Sequence, residues 1–166
     1  MKTDKIYLVG FMGAGKSSVA RVLARRLDWK AEDIDARIER IERRDIPTIF
    51  RDSGEPYFRA REREVLLGLL PERGTVVASG GGTFADASNR ELMLRDGGVV
   101  WLDAPFTTVL QRVPLDGRRP LAADRLGMEQ LYNQRLPAYR QAHLRVDAGR
   151  GSVEELVDHI MEWLDT

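Results

Sequence analysis

Short apolar runs alternate along this chain with segments of helical period, the order expected of a parallel sheet flanked by helices. Residues 5–9 read as a buried strand that stops at Gly10. Beyond the glycines, Val19, Val22, Leu23 and Leu27 recur at three- and four-residue steps and predict a helix with one apolar face. Ile34, Ile38 and Ile41 predict a second helix, and Ile46-Pro47 opens a short helical turn with proline near its start. Phe58, Val65, Leu66 and Leu69 stripe a longer helix that ends near residues 71–74, and the strand 75–78 then runs into Gly80-Gly81-Gly82. Leu92 and Leu94 mark a short amphipathic piece before the strand 99–102, and Phe106, Val109, Leu110 and Val113 mark another helix. Residues 114–124 are polar, contain Gly117 and Pro120 and lack any period, which predicts a loop. Leu131, Leu136 and Tyr139 predict a helix interrupted at Pro137, followed by a last short strand at 144–146. Ser152 and Glu155 make a capping box that opens a final helix with Val157, Ile160 and Leu164 on its buried side.

At roughly 100–200 residues per domain, the 166 residues read as one domain, 1–166, able to bury a sizeable core. Hydrophobic residues at 43% and charged residues at 31% exclude a disordered or collagen-like chain. Twenty-six Lys and Arg cancel 26 Asp and Glu, so no nucleic acid and no membrane surface is expected as a partner. The absence of Cys removes disulfides, thiolate zinc sites and thiol catalysis, and suits a reducing, cytoplasmic setting. The two histidines, His143 and His159, are too few for a histidine-rich metal site and read as a helix-end and a helix-surface residue. No apolar run approaches the roughly 18 residues of a membrane span. Residues 6–14 behind Lys2 and Lys5 have the size of a signal-peptide core, but their glycines fit another motif better.

That motif is residues 10–17, GFMGAGKS, which satisfies G-x-x-x-x-G-K-S/T between a strand and an amphipathic helix. Gly10, Gly13 and Gly15 allow the backbone to curl with its N–H groups inward, Ala14 and Ser18 complete the cradle, and the helix start favours phosphate oxygens. Lys16 is then expected to reach the β- and γ-phosphates of a nucleotide and the Ser17 hydroxyl to ligate Mg²⁺. No Asn is followed by Lys, which disfavours a guanine-reading switch. A motor or remodelling ATPase usually needs far more chain. A short chain with a late polar loop suits a kinase that closes over a small acceptor and excludes water.

Asp33-Ile-Asp35 follows at a strand end that opens onto a helix, near the carboxyl end of the sheet. One carboxylate can orient the water shell of a metal while the other holds or deprotonates an acceptor hydroxyl. Acidic capping of the helix is the competing reading of the pair. Asp103, at the end of strand 99–102, mimics a magnesium-binding acid and rivals Asp33 for the metal, but reads as an ordinary strand-end residue.

These residues resemble the shikimate kinase family. Its pattern is a P-loop GFMGAGKS, a D-x-D pair, G-E-x-x-F-R, a triple glycine, R-P-L and R-x-P-x-Y. The chain carries all six in order: residues 10–17, Asp33 with Asp35, Gly54 to Arg59, Gly80-Gly81-Gly82, Arg119-Pro120-Leu121, and Arg135 to Tyr139. The resemblance implies a three-layer α/β/α fold around a central five-stranded parallel sheet, like that of nucleoside-monophosphate kinases with a P-loop. It implies ATP-dependent phosphorylation of the 3-hydroxyl of shikimate to shikimate 3-phosphate and ADP, in aromatic amino-acid (chorismate) biosynthesis, by a cytoplasmic monomer using ATP and Mg²⁺.

By the same resemblance, Arg59 and Arg135 grip the acceptor carboxylate, a match for the guanidinium fork. The backbone of Gly80, Gly81 and Gly82 approaches the acceptor, Asp35 holds ring hydroxyls and acts as general base, and Asp33 and Ser17 serve the Mg²⁺. Arg119, in a lid at about 114–124, covers the phosphates, and Arg112 stacks on adenine. The acceptor-binding region spans about 33–61. Alternatives on the same scaffold are a gluconate or nucleoside-monophosphate kinase. A nucleotide-binding regulator without turnover is the alternative from another class. Taken singly, Arg59 also reads as a structural partner of Glu55 and Glu62 at helical spacing. The chain departs from the pattern at Arg44-Asp45, where the family often has Gly after the acidic helix, and in the shortness of its lid.

Overall fold

The computed structural model describes residues 1–113 and 124–166. Strands β1 (Lys5–Val9), β3 (Thr75–Ala78) and β4 (Gly98–Asp103) are the apolar runs, and all but the last residue, Asp103, are buried. Strands buried on both faces belong in the middle of a parallel sheet. Two more polar strands, β2 (Lys30–Asp33) and β5 (Leu144–Asp147), form its edges, giving the order β2-β3-β1-β4-β5 with every pair parallel. The charged sequence of β2 carries no hydrophobic period; pairing with β3 alone makes it a strand, and its Lys and Glu suit an exposed edge.

Eight helices are described: α1 (Lys16–Leu27), α2 (Ile34–Glu42), α3 (Ile46–Ser53), α4 (Glu55–Leu69), α5 (Ala87–Asp96), α6 (Phe106–Arg112), α7 (Arg125–Tyr139) and α8 (Val153–Leu164). α1 packs on α8, β2 and β3, while α5 packs on β4 and α2 on α4. The right-handed rule for parallel crossovers sets the leftward β1–β2 connection on one face of the sheet and the rightward ones on the other, which yields the three layers. Asp33, Asp45, Asp86, Asp124 and Ser152 each cap a helix by accepting a backbone N–H.

Two local readings change. The turn expected at Ile46-Pro47 is an eight-residue helix, because Asp45 caps it and Ile49 is fully buried. Pro137 does not interrupt α7; it lies in the last turn and removes one ladder bond, and Arg140 N–H still reaches Leu136 O at 3.0 Å.

The connection from β1 runs one way along the sheet and that from β3 the other, so a crevice opens at the carboxyl ends of these strands. Residues 10–17 follow β1, Asp33 ends β2 and the triple glycine follows β3. The opposite end of the sheet is tied by charge. The fully buried Lys5 pairs with Asp96 at 2.8 Å and also donates to Leu69 O; the Tyr7 hydroxyl donates to Asp96 Oδ2 at 2.6 Å, and Arg73 Nη1 to Oδ1 at 2.8 Å. Burial pushes the Asp96 carboxyl up, but hydrogen bonds from Lys5, Tyr7 and Arg73 outweigh it and hold the group below the usual carboxylate value.

Asp96→Asn strands a buried ammonium, and breaking such a pair costs about 3–5 kcal/mol. The expected outcome is a melting temperature roughly 10 °C lower at pH 7. A depressed carboxyl contributes stability that is complete above about pH 4 and is lost as pH falls through its folded value. The wild-type advantage over Asp96→Asn in thermal melts should therefore shrink at pH values below 3. A second prediction concerns Arg43, the C-cap of α2, which is exposed and holds φ 55°. An L-residue there is disfavoured by about 1 kcal/mol against glycine, so Arg43→Gly should raise the melting temperature by roughly 2–3 °C.

Candidate active site

Gly15 caps α1 at φ 96°, a left-handed conformation suited to glycine, and no side chain caps the helix. The first N–H groups of α1 are thereby left for an anion. Lys16 curls over the loop, its Nζ donating to Gly10 O at 2.6 Å and Phe11 O at 2.9 Å. Ala14 is buried beneath the loop and its N–H reaches Phe11 O at 3.2 Å; Ser18 is exposed on the next turn. Ser17 Oγ donates to Asp33 Oδ2 at 2.6 Å while Asp33 Oδ1 accepts the Ala36 N–H at 3.1 Å. Asp33 thus caps α2 with one oxygen and turns the other to Ser17 at the loop.

A cleft of about 280 Å³ joins Gly13, Lys16, Ser17 and Ser18 to Asp33, Asp35, Gly80 and Gly81. Asp35 reaches the triple glycine: a Cβ placed on Gly80 would lie 2.8 Å from Asp35 Oδ1. The two arginines converge on the next residues. Arg135 Nη1 would lie 3.0 Å from a Cβ on Gly81, and Arg59 Nη1 2.6 Å from one on Gly82. Side chains at these glycines would occupy the space the guanidinium groups fill. Arg135, on α7, is buried with its guanidinium over the Phe11 ring at 5.7 Å, a contact that joins it to the P-loop. Burial pulls its pKa below the ordinary arginine value, and the like charge of Arg59 pulls further in the same direction. Two cations share one pocket. An anionic ligand between them would relieve both effects.

Arg59 is tied within α4. Its Nη1 donates to Glu62 Oε1 at 3.1 Å and Oε2 at 3.2 Å, and its Nη2 lies 3.7 Å from Glu55. The structural pairing and the convergence on the glycines therefore hold together, because the helical partner aims the guanidinium. Glu62 is 1% exposed and also accepts from Thr83 Oγ1 at 2.8 Å. Tyr139 fixes the turn from the other side. Burial pushes its hydroxyl up to about 12, although Arg135 pulls the other way, and the hydroxyl donates to Gly81 O at 2.5 Å. Among these supports, Glu62 and Tyr139 stand at helical spacing from Arg59 and Arg135, whereas nothing in the sequence pattern marks Thr83.

Arg112 ends α6 beside the phosphate loop, with Nη1 on Gly13 O at 3.1 Å and Nη2 on Ala148 O at 3.4 Å. Arg119 and the expected lid up to residue 123 lie outside the described residues. Asp103, the rival metal ligand, is engaged by Arg145 Nε at 2.7 Å. His143, which stands just before β5, accepts the Val99 N–H on Nδ1 at 3.0 Å, and His159 is exposed on α8. Among the described residues no group of three acidic, His or Cys side chains could hold a metal, and no helix is long and apolar enough to cross a membrane. Ser17 and Asp33 offer two hard oxygens at the loop. That fits an ion such as Mg²⁺, which takes few protein ligands and keeps waters and phosphate oxygens.

The family model for shikimate kinase matches residues 12–165. A shikimate kinase from Sulfurihydrogenibium sp. is 42% identical over 157 residues, covering 94% of this chain and 95% of the relative. Among solved structures, shikimate kinase from Acinetobacter baumannii in complex with shikimate superposes with a TM-score of 0.93 at 39% identity, over 97% of this chain and 92% of that one. Deoxyadenosine kinase from M. mycoides with bound dATP, at 16% identity, shares the fold alone, with a TM-score of 0.67 over 98% and 99% of the two chains. With a strand-bounded phosphate loop, an aspartate facing the triple glycine and two arginines meeting beside it, the chain belongs to the shikimate kinase family.

Proposed function

We propose that this protein transfers the γ-phosphoryl group of ATP to the 3-hydroxyl of shikimate, giving shikimate 3-phosphate and ADP in aromatic amino-acid biosynthesis. The observation that carries this reading is the convergence of Arg59 and Arg135 on Gly81 and Gly82, next to Asp35 at Gly80. A ring carboxylate seated between the two guanidinium groups orients the acceptor, and the charge-assisted bonds are stronger than neutral ones. Such seating turns the ring hydroxyls toward Asp35 and the phosphate loop. Asp35 accepts the hydroxyl proton as the acceptor oxygen attacks the γ-phosphorus and the bond to the β–γ bridging oxygen breaks, releasing ADP.

The α1 N-terminus, with Gly13, Ala14, Gly15 and Ser18 around it, cradles the phosphates, and Lys16 turns from the loop carbonyls to the β- and γ-oxygens. Ser17 and Asp33 are the residues that would hold Mg²⁺, Asp33 through the water shell. When bound, the ion neutralises charge on the β- and γ-oxygens. Arg112 is assigned to the adenine face, consistent with its place against Gly13 and Ala148. Arg119 is assigned to the transferring phosphoryl group on the family pattern. The Gly80 N–H is already committed to Thr83 Oγ1 at 3.1 Å, so backbone contact with the acceptor falls to Gly81 and Gly82 rather than to this donor. The chain is read throughout as one kinase domain, 1–166, working as a cytoplasmic monomer.

The decisive experiment is ADP release with ATP and Mg²⁺ over a panel of acceptors: shikimate, gluconate and nucleoside monophosphates. Turnover confined to shikimate is expected, and none with shikimate would overturn the reading. Charged hydrogen bonds contribute about 1.5–3 kcal/mol, so Arg135→Ala should raise KM for shikimate by roughly 10- to 150-fold and leave KM for ATP within about threefold. Equal losses for both ligands would contradict the assignment. Asp35→Asn should lower kcat by about 10²–10⁴-fold in steady-state assays with both substrates saturating, with the melting temperature retained.

A further inference from the structure

Beside the acceptor pocket stands a fully buried hydroxyl to which no step above gives a role. Thr83 is 0% exposed in the turn that follows the triple glycine. Its Oγ1 accepts the Gly80 N–H at 3.1 Å and lies 2.8 Å from Glu62 Oε2. A hydroxyl has one proton, and an ionised carboxylate can only accept. With the Gly80 N–H already directed at the oxygen, the Thr83 proton must point to Glu62. Glu62 in turn holds Arg59 Nη1 through both oxygens, and Arg59 abuts Gly82. A continuous path runs from the backbone of Gly80 through Thr83 and Glu62 to the guanidinium of Arg59, and it closes on Gly82 two residues from its start.

We propose that the Thr83 hydroxyl is a positioning group for the acceptor, locking the Arg59 guanidinium and the glycine turn into one geometry. The proposal rests on the reading of Arg59 as an acceptor-carboxylate ligand. Two features fix where the hydroxyl sits. Asn89 Nδ2 donates to Thr83 O at 3.2 Å, and Arg63 Nη1 donates to Asn89 Oδ1 at 2.8 Å, so the turn is held from both α5 and α4. The same turn borders Asp35: a Cβ on Gly80 would meet Asp35 Oδ1 at 2.8 Å, Glu62 Oε2 at 3.2 Å and Thr83 Oγ1 at 3.3 Å. Removal of the hydroxyl leaves the Gly80 N–H without its acceptor in the interior and takes one donor from Glu62 Oε2. Both ends of the path then loosen. Arg59 loses definition on one side of the carboxylate and the glycine turn on the other, while the phosphate loop is untouched.

The test compares Thr83→Val, which keeps the branched shape and removes the hydroxyl, with Thr83→Ser, which keeps the hydroxyl and removes the methyl. The readouts are steady-state KM for shikimate and for ATP, kcat, and thermal melts. Thr83→Val should raise KM for shikimate about tenfold or more, the scale of one lost hydrogen bond to a charged group, with KM for ATP within about twofold. Thr83→Ser should return both constants to near wild type. A merely structural residue would not split the two KM values, nor be rescued by serine. Should the valine protein fail to fold, Thr83→Ala, which sets no apolar branch against Glu62, carries the same expectation. The proposal is overturned if the hydroxyl-free variant keeps the wild-type KM for shikimate, if both KM values rise together, or if serine is as impaired as valine. A wild-type protein without turnover on shikimate overturns the functional reading and this proposal together; a wild type that turns over beside an indifferent valine variant overturns this proposal alone.

Discussion

Three strands that run parallel and in register set the level at which everything else occurs. Leu8 pairs with Ala78 and Ala78 with Asp33, so β1, β3 and β2 end side by side. The next residues are obliged to leave the sheet at one height: Gly10 into the phosphate loop, Ser79 into the triple glycine, Ile34 into α2. The Ser79 N–H still reaches Leu8 O at 3.1 Å, a last rung before the chains part. Groups far apart along the chain, Ser17 and Asp33 at 16 positions or Asp35 and the distant Gly80, meet because of that register. A slip of one residue would also invert every side chain of the buried strands.

Both ends of this sheet carry charge removed from water, and the two ends solve the problem differently. At the amino end Lys5 is matched within the fold by Asp96, with Tyr7 and Arg73 completing the shell, so the site is closed and structural. At the carboxyl end Arg59 and Arg135 share a pocket with Glu62 as the buried carboxylate that binds Arg59 directly. Arg59 and Arg135 nevertheless meet as like charges at Gly81 and Gly82, a pairing that an anion between them would relieve. Burial first, and then the like charge of Arg59, hold the pKa of Arg135 below the ordinary arginine value against the opposing pull of Tyr139 and Glu62.

The readable parts of the sequence were those where one motif maps onto one local geometry. The P-loop has its strand before and helix after, Asp33 and Asp35 open α2, and Ser152 accepts the Glu155 N–H as the capping box requires. The central strands followed from their unbroken apolar runs. β2 has no such run, since an edge strand half in water needs no hydrophobic pattern; only the D-x-D pair at its end marks it, and its pairing lies with a strand 45 residues away in sequence. Pro137 does not end the helix because it gives up only its own ladder bond near the C-terminus, and the Arg140 N–H beyond it still bonds Leu136 O. The buried Lys5 was hidden inside an apolar run, its counter-ion 91 positions later and unmarked. Spacing marks Arg59 as a partner of Glu55 and Glu62, but it cannot show that the same guanidinium also abuts Gly82. Thr83 left no trace, because a hydroxyl acquires meaning only from the groups folded around it.

One helix face gathers much of the apparatus on the acceptor side. Arg59, Glu62 and Arg63 lie three and four positions apart on α4, and through Thr83 and Asn89 they grip the turn after β3. The nucleotide end is built from different stretches, β1 with α1 and the tip of α6. Such a division confines much of the acceptor side to one turn-and-helix cassette, with Asp35 of α2 and Arg135 of α7 reaching in from outside it. Divergence of chemistry on this scaffold would then require matched changes at Asp35, Arg59 and Arg135, three separate stretches of the chain, while the phosphate-handling frame stays as it is.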